Sequence, residues 1–139
     1  MTKYSPVMDG ITFRYLISLA VYEKLDMRLK DVVTAYLYGT LENDIYMKIP
    51  EGFNMPEARK FQSRETYSIK LQRSLYGLKQ SGRMWYNRLS ECLHKVGYIN
   101  DPICPCVFIK KDGSNFVIIA VYVDDLNLIG TPEELQKAV

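Results

Sequence analysis

Cysteine, long apolar runs and charge of one sign are all scarce in this chain, and each shortage removes a class of protein. Cys92, Cys104 and Cys106 cannot all pair, and one residue separates the last two, so no disulfide framework is expected. The longest unbroken apolar run, Phe116 to Val123, has eight residues, against the ~20 that a membrane-spanning helix needs. Met1 to Gly10 lack the basic flank and apolar stretch of a secretory signal, which makes an intracellular location and no membrane contact the expectation. The 18 basic and 16 acidic residues leave a net charge of +2, too balanced to mark a polyanion-binding protein by its field alone. Repeats and low-complexity tracts are missing, which argues against a solenoid. What remains is 139 residues, 47% hydrophobic and 24% charged. That is an ordinary globular composition, and the length suits one domain over 1–139.

Periodicity divides the chain into helices and strands. Phe13, Leu16, Ile17, Ala20, Val21 and Leu25 recur at three and four residues, which predicts an amphipathic helix ending near Asp26. Met27, Leu29 and Asp31 then alternate with Arg28, Lys30 and Val32 as a half-buried strand does. Two more short strands are predicted at Ile45 to Ile49 and Tyr67 to Leu71, with a loop at Phe53 to Arg64 between them. A glycine-bearing turn from Ser74 to Ser81 leads to a second helical stripe from Met84 through Trp85, Leu89, Cys92, Leu93 and Val96, with Gly97 as its stop. Val107 to Lys110 and Phe116 to Val123 flank an Asp112-Gly113 hairpin signal, and Leu126 to Ile129 follows as a further strand. Thr131, Pro132, Glu133 and Glu134 open a last helix that runs toward Val139.

The carboxylates are the most informative feature. Asp124 and Asp125 sit together between two apolar strands, at the expected hairpin tip, where Asn-Gly or Asp-Gly would serve an ordinary turn better. Two like charges ~4 Å apart at an effective dielectric of ~20 repel by about 4 kcal/mol, a cost that a divalent cation reverses. Asp31 falls on an otherwise apolar strand face, where a carboxylate loses hydration and needs a partner or a cation. Pairing of its strand with Phe116 to Val123 would bring it beside Asp124. Such hard oxygen ligands suit Mg²⁺, which takes the rest of its shell from water and substrate phosphates. Two ions ~3.5–4 Å apart would support phosphoryl transfer by in-line displacement. Neighbouring strand residues point to opposite sides, so Asp124 and Asp125 are not equivalent, and Asp124 is expected to be the closer ligand.

Four segments carry a wider likeness: YSPV from Tyr4 to Val7, DVVTAYLYGTLENDIYMKIPEGF from Asp31 to Phe53, SLYGLKQSGRMWY from Ser74 to Tyr86, and YVDD from Tyr122 to Asp125 continuing into LNLIGTPEEL. In this order, and over nearly the whole length, they resemble the reverse transcriptase of copia-type long-terminal-repeat retrotransposons. The resemblance implies an α+β polymerase palm with partial fingers, its antiparallel sheet packed against two or three helices. It implies an RNA-directed DNA polymerase core in which Asp31 and Asp124 are the principal ligands of two Mg²⁺ ions, with Mn²⁺ able to substitute, and Asp125 is the less direct third acid. Tyr36 matches the aromatic that lies beneath the incoming sugar and disfavours a ribose 2′-hydroxyl. Tyr76 and Gly77 match nucleotide or template contacts, and Lys79 and Arg83 stand where they would meet phosphate oxygens. Trp85 fits the core stripe without further role. The implied partners are an RNA or DNA template, a primer strand, a dNTP and the remaining Pol segments, with work done in cytoplasmic particles.

The sequence departs from that pattern at Val33, where a basic residue is usual, at Gly82, where Pro is usual, and at Asn127, usually more apolar. The three acids are untouched. Upstream fingers, thumb, connection and ribonuclease H segments fall outside the 139 residues, so the expectation is a truncated catalytic core with little unaided activity. Two other readings compete. One is a palm-fold remnant that has lost its chemistry and serves as an interaction protein. The other is a zinc-binding module built on Cys92, His94, Cys104 and Cys106, although the C-x-C spacing, stiffened by Pro105, is tighter than a zinc knuckle uses.

Overall fold

The alternating segments assemble into one antiparallel sheet in the computed structural model, which describes residues 5–61 and 63–138. Tyr4, the first residue of the YSPV segment, and Val139 lie outside the described residues. In chain order the elements are α1 (Gly10–Tyr22), β1 (Asp26–Asp31), β2 (Tyr46–Lys48), β3 (Ser68–Lys70), α2 (Ser81–Lys95), β4 (Ile99–Asn100), β5 (Val107–Asp112), β6 (Asn115–Tyr122), β7 (Asp125–Gly130) and α3 (Pro132–Lys137). Five strands form the sheet in the order β1-β7-β6-β5-β4, and β2 pairs with β3 in a separate ribbon. The class is α+β, with three helices on an antiparallel sheet.

The apolar run in β6 is the centre of this arrangement. Its residues alternate between two cores, as side chains on a pleated strand must. Val117, Ile119 and Val121 join Trp85, Leu89, Phe108, Leu128 and Leu135 beneath α2 and α3. Ile118 and Ala120 join Leu16, Ala20, Cys106 and Ile129 beneath α1. α1 starts at Asp9, whose side chain accepts the Thr12 N–H at 2.7 Å and so satisfies one of the helix's free donors. The same bond holds the Asp9 carboxyl below its usual range.

α1 ends at Tyr22, short of the expected Asp26, because Lys24 takes a left-handed φ of 53° and the Leu25 N–H turns back to the Ala20 carbonyl at 2.8 Å. Leu25 therefore leaves the helix and packs into the core from the connection. α2 begins at Ser81, ahead of the expected Met84. Ser81 is fully buried and its hydroxyl donates to the Leu75 carbonyl at 2.5 Å, which ties the preceding turn to the helix start. Gly39 lets the Ala35–Tyr38 3-10 turn approach α2: a Cβ there would lie 2.7 Å from that of Met84.

β1 is an edge strand, and this corrects two expectations. It pairs with β7, not with β6, in a register that sets Asp31 opposite Asp125. Its Met27–Leu29–Asp31 face is not half-buried, since Leu29 is 67% exposed and Asp31 is exposed too. Loss of hydration is therefore not what distinguishes Asp31.

Candidate catalytic site

The site lies where β1 ends and the β6–β7 hairpin turns. Tyr122 pairs with Asp125, so the tip is Val123–Asp124 and Asp125 already belongs to β7. The expected Asp124–Asp125 tip is thus shifted by one residue. Val123 adopts a φ of 53°, a left-handed conformation that a β-branched residue rarely takes. Two contacts hold it there. The Trp85 indole N–H donates to the Val123 carbonyl at 2.8 Å, and the Val32 N–H donates to the Asp124 carbonyl at 2.9 Å. Helical periodicity assigns Trp85 to the core alone. Its N–H, which needs an acceptor once buried, was the available signal for this second role.

The three acids come to this turn from two sides. Asp31 and Asp125, opposite one another across the β1–β7 pair, share a face of the sheet, and Asp125 lines a cavity of about 330 Å³ with Met8, Phe13, Leu29 and Asn127. Asp124 turns toward the Ser74–Ser81 segment, where its Oδ2 accepts the Tyr76 hydroxyl at 3.0 Å. Its Oδ1 is buried and has no hydrogen-bond partner. An orphaned carboxylate oxygen of this kind is costly in the folded chain and is the donor a hard cation requires. Among the described residues, no three His, Cys, Asp or Glu side chains are gathered in one ligating cluster. In this conformation the Tyr76 hydroxyl, not another carboxylate, is Asp124's partner.

Most of the remaining candidates meet on the Tyr76 side. The rings of Tyr36 and Tyr76 stack with centroids 4.5 Å apart. Burial and then the Asp124 charge raise the Tyr36 hydroxyl above its ordinary pKa; burial and the Asp124 hydrogen bond do the same for Tyr76. Tyr36, Lys79, Arg83, Trp85 and Val123 line one cleft of about 200 Å³. Arg83 is less free than a solvated cation, because its Nη2 pairs with Glu42 at 2.6 Å, while its buried Nε has no partner. Gly77 follows Tyr76 at a φ of 94°, a conformation that glycine adopts without the Cβ clash. The cleft thus has an aromatic wall, two cations and the strained turn as its floor.

The alternative zinc site is not assembled. Cys92 is exposed on α2, and the His94 Nε2 is engaged with the Asn100 side chain at 2.5 Å. Cys104 and Cys106 lie side by side in the β4–β5 connection, but the described residues hold no third ligand to complete a metal cluster with them.

Residues 1–138 match the family described as reverse transcriptase (RNA-dependent DNA polymerase). The chain is 37% identical over 133 residues to the retrovirus-related Pol polyprotein from transposon TNT 1-94 of Nicotiana tabacum, an overlap of 95% of this chain and 10% of that protein. The corresponding polyprotein from transposon RE1 of Arabidopsis thaliana is 36% identical over 132 residues, covering 95% of this chain and 9% of that protein. The chain therefore spans about a tenth of the length of these relatives. No solved structure matches it.

Proposed function

The chain belongs to the reverse transcriptase family, and from that premise we propose that it is the polymerase palm with part of the fingers, carrying the acids for RNA-directed nucleotidyl transfer. The observation that supports this most is the unpartnered, buried Asp124 Oδ1, on a turn whose backbone is bonded to the end of the strand that sets Asp31 opposite Asp125. An all-oxygen set suits Mg²⁺, with Mn²⁺ as its substitute. Asp31 and Asp124 would be the principal ligands and Asp125 the third. The chemistry that ions held by these residues would supply is activation of a primer 3′-hydroxyl and stabilisation of the charge that develops as a dNTP loses pyrophosphate.

The chain's own residues prepare the rest. Trp85 and Val32 hold the turn, so that Asp124 reaches the site from a fixed backbone. Tyr36 forms the cleft wall on which an incoming sugar rests, and its bulk disfavours a 2′-hydroxyl. Tyr76 and Gly77 border the nucleotide or template, and Lys79 and Arg83 offer cations to phosphate oxygens. Asp124 must give up the Tyr76 hydroxyl to use both oxygens for a metal. Template, primer and the thumb and ribonuclease H segments of a Pol polyprotein would be the partners, and a cytoplasmic retrotransposon particle the setting.

Mn²⁺ titration followed by the electron paramagnetic resonance of the free ion tests the metal site. Wild type should bind, and Asp124→Asn should not. Indistinguishable titrations would sink the reading. Primer extension on a poly-ribonucleotide template, wild type against Asp31→Asn, then tells a working core from a remnant that binds metal without polymerising.

A further inference from the structure

The β4–β5 connection carries two sulfurs that the polymerase chemistry leaves unused. Cys104 Sγ and Cys106 Sγ lie 3.1 Å apart, within a turn closed by the Val107 N–H on the Cys104 carbonyl at 2.8 Å. Pro105 fixes the backbone between them, and its carbonyl accepts the Tyr86 hydroxyl and the Asn100 side-chain amide, both at 2.8 Å. Upstream, Asp101 Oδ1 accepts the N–H groups of Ile103 and Cys104 at 2.9 and 2.8 Å. Side chains therefore anchor the backbone ahead of the pair and between its two members. The two thiols differ in access: Cys104 is partly exposed near Thr12 of α1, and Cys106 is buried in the core beneath that helix. Burial and the neighbouring Cys104 sulfur push the Cys106 thiol up to about 12, so reaction begins at Cys104.

We propose that Cys104 and Cys106 are a modification site, a preorganised dithiol that closes to an intramolecular disulfide by exchange with a small disulfide such as glutathione disulfide. The Cys104 thiolate attacks one glutathione sulfur. A Cys104–glutathione bond forms, the glutathione S–S bond breaks, and one glutathione departs and takes up a proton. The Cys106 thiol then loses its proton to solvent and attacks Cys104 Sγ, which releases the second glutathione. Two protein thiols are oxidised and one glutathione disulfide is reduced to two glutathione thiols. The sulfurs need to approach by about 1 Å to reach the ~2.05 Å of the bond. With only Pro105 enclosed, the new loop removes little entropy from the unfolded chain, so the bond is readily reversed by thiols. The site abuts the strained turn, since the Cys106 carbonyl accepts the Val121 N–H at 2.9 Å, two residues before Val123.

The test incubates the full chain with glutathione disulfide at rising ratios to glutathione, alkylates with N-ethylmaleimide, and maps the peptides by mass spectrometry. Wild type should yield a species lighter by a pair of hydrogens, alkylated at Cys92 alone and restored by excess glutathione. Cys104→Ser should abolish that species, and Cys92→Ser should leave it intact. In Cys106→Ser a glutathione adduct should accumulate on Cys104. If that buried variant fails to fold, the partly exposed Cys104→Ser carries the comparison. A stable glutathione adduct on wild-type Cys104 without closure would overturn the proposal. So would free alkylation of both thiols under conditions that oxidise Cys92.

Discussion

Beneath α2 and α3, Val117, Phe108, Leu128 and Leu135 keep 2% or less of their surface, whereas on the other face of the same sheet Leu29 keeps 67% and Met27 42%. The residue types are alike, so composition does not explain the difference. Position does. β7 and β6 are flanked by strands and covered by helices, but β1 is the edge, and α1 reaches across β7 and β6 without covering it. The candidate site straddles this boundary. Its closed side supplies a rigid backbone contact to the turn through Trp85 and places the Tyr76 hydroxyl on one Asp124 oxygen. Its open side leaves Asp31 and Asp125 accessible beside a cavity. The function proposed above, in which one acid is held still while a nucleic acid and a nucleotide reach the others, would need both conditions.

The most direct way to break this contrast is to truncate one large side chain on each face. Phe108→Ala should cost about 3–5 kcal/mol, the range for an aromatic removed from a core. Leu29→Ala should stay within ~0.5 kcal/mol, as exposed substitutions do. Urea unfolding of both variants measures it, and similar losses would mean that the edge face is covered in solution. Next in size is Trp85→Phe, which keeps most of the packing and removes the N–H from the Val123 carbonyl. Leaving that acceptor unpaired should cost about 1–3 kcal/mol, and Mn²⁺ affinity should fall with it if the turn is what positions Asp124. Stability lost without any change in affinity would reduce Trp85 to a core residue.

Tyr76→Phe sharpens the contrast in the opposite direction. Its hydroxyl competes for Asp124 Oδ2 and is a hydrogen bond worth about 0.5–1.5 kcal/mol. Removing it should tighten Mn²⁺ binding by about two- to tenfold, while the ring keeps its stack on Tyr36. Unchanged or weaker binding would mean that Tyr76 supports the site rather than blocking it.

The elements were legible because their periods are clean. The eight-residue apolar run of β6, the stripe of α2 and the Thr131–Pro132 start of α3 all stand where alternation and capping put them. What the sequence did not carry was lateral order. Nothing in Asp26–Asp31 says whether its neighbour is β6 or β7, since either could pair with it through backbone hydrogen bonds, and the choice decides that Asp31 meets Asp125. The edge position was hidden for the same reason: alternation reports which residues share a face, not whether anything covers it. The one-residue shift of the hairpin tip follows from backbone contacts of Val123 and Asp124 with Trp85 and Val32, which local turn preferences cannot anticipate.

The smallest effect belongs to the open face, at the cap of α1. The Thr12 N–H holds the Asp9 carboxyl below its usual value of 3.8. A carboxylate whose folded value is depressed contributes stability that is present above the unfolded value and is lost as pH falls through the folded one. Asp9→Asn keeps a capping oxygen but cannot titrate. Wild type should therefore be slightly the more stable at about pH 6, and the two should converge only at a pH below the depressed folded value. Urea midpoints of both chains at the two pH values give the comparison, in which every other carboxylate cancels. Because α1 covers only part of its face, the shift should show most clearly in the amide exchange of Phe13 to Leu16 and hardly at all in β6. An equal shift in both would mean that α1 and the sheet unfold as one unit, and that the open face is as cooperative as the closed one.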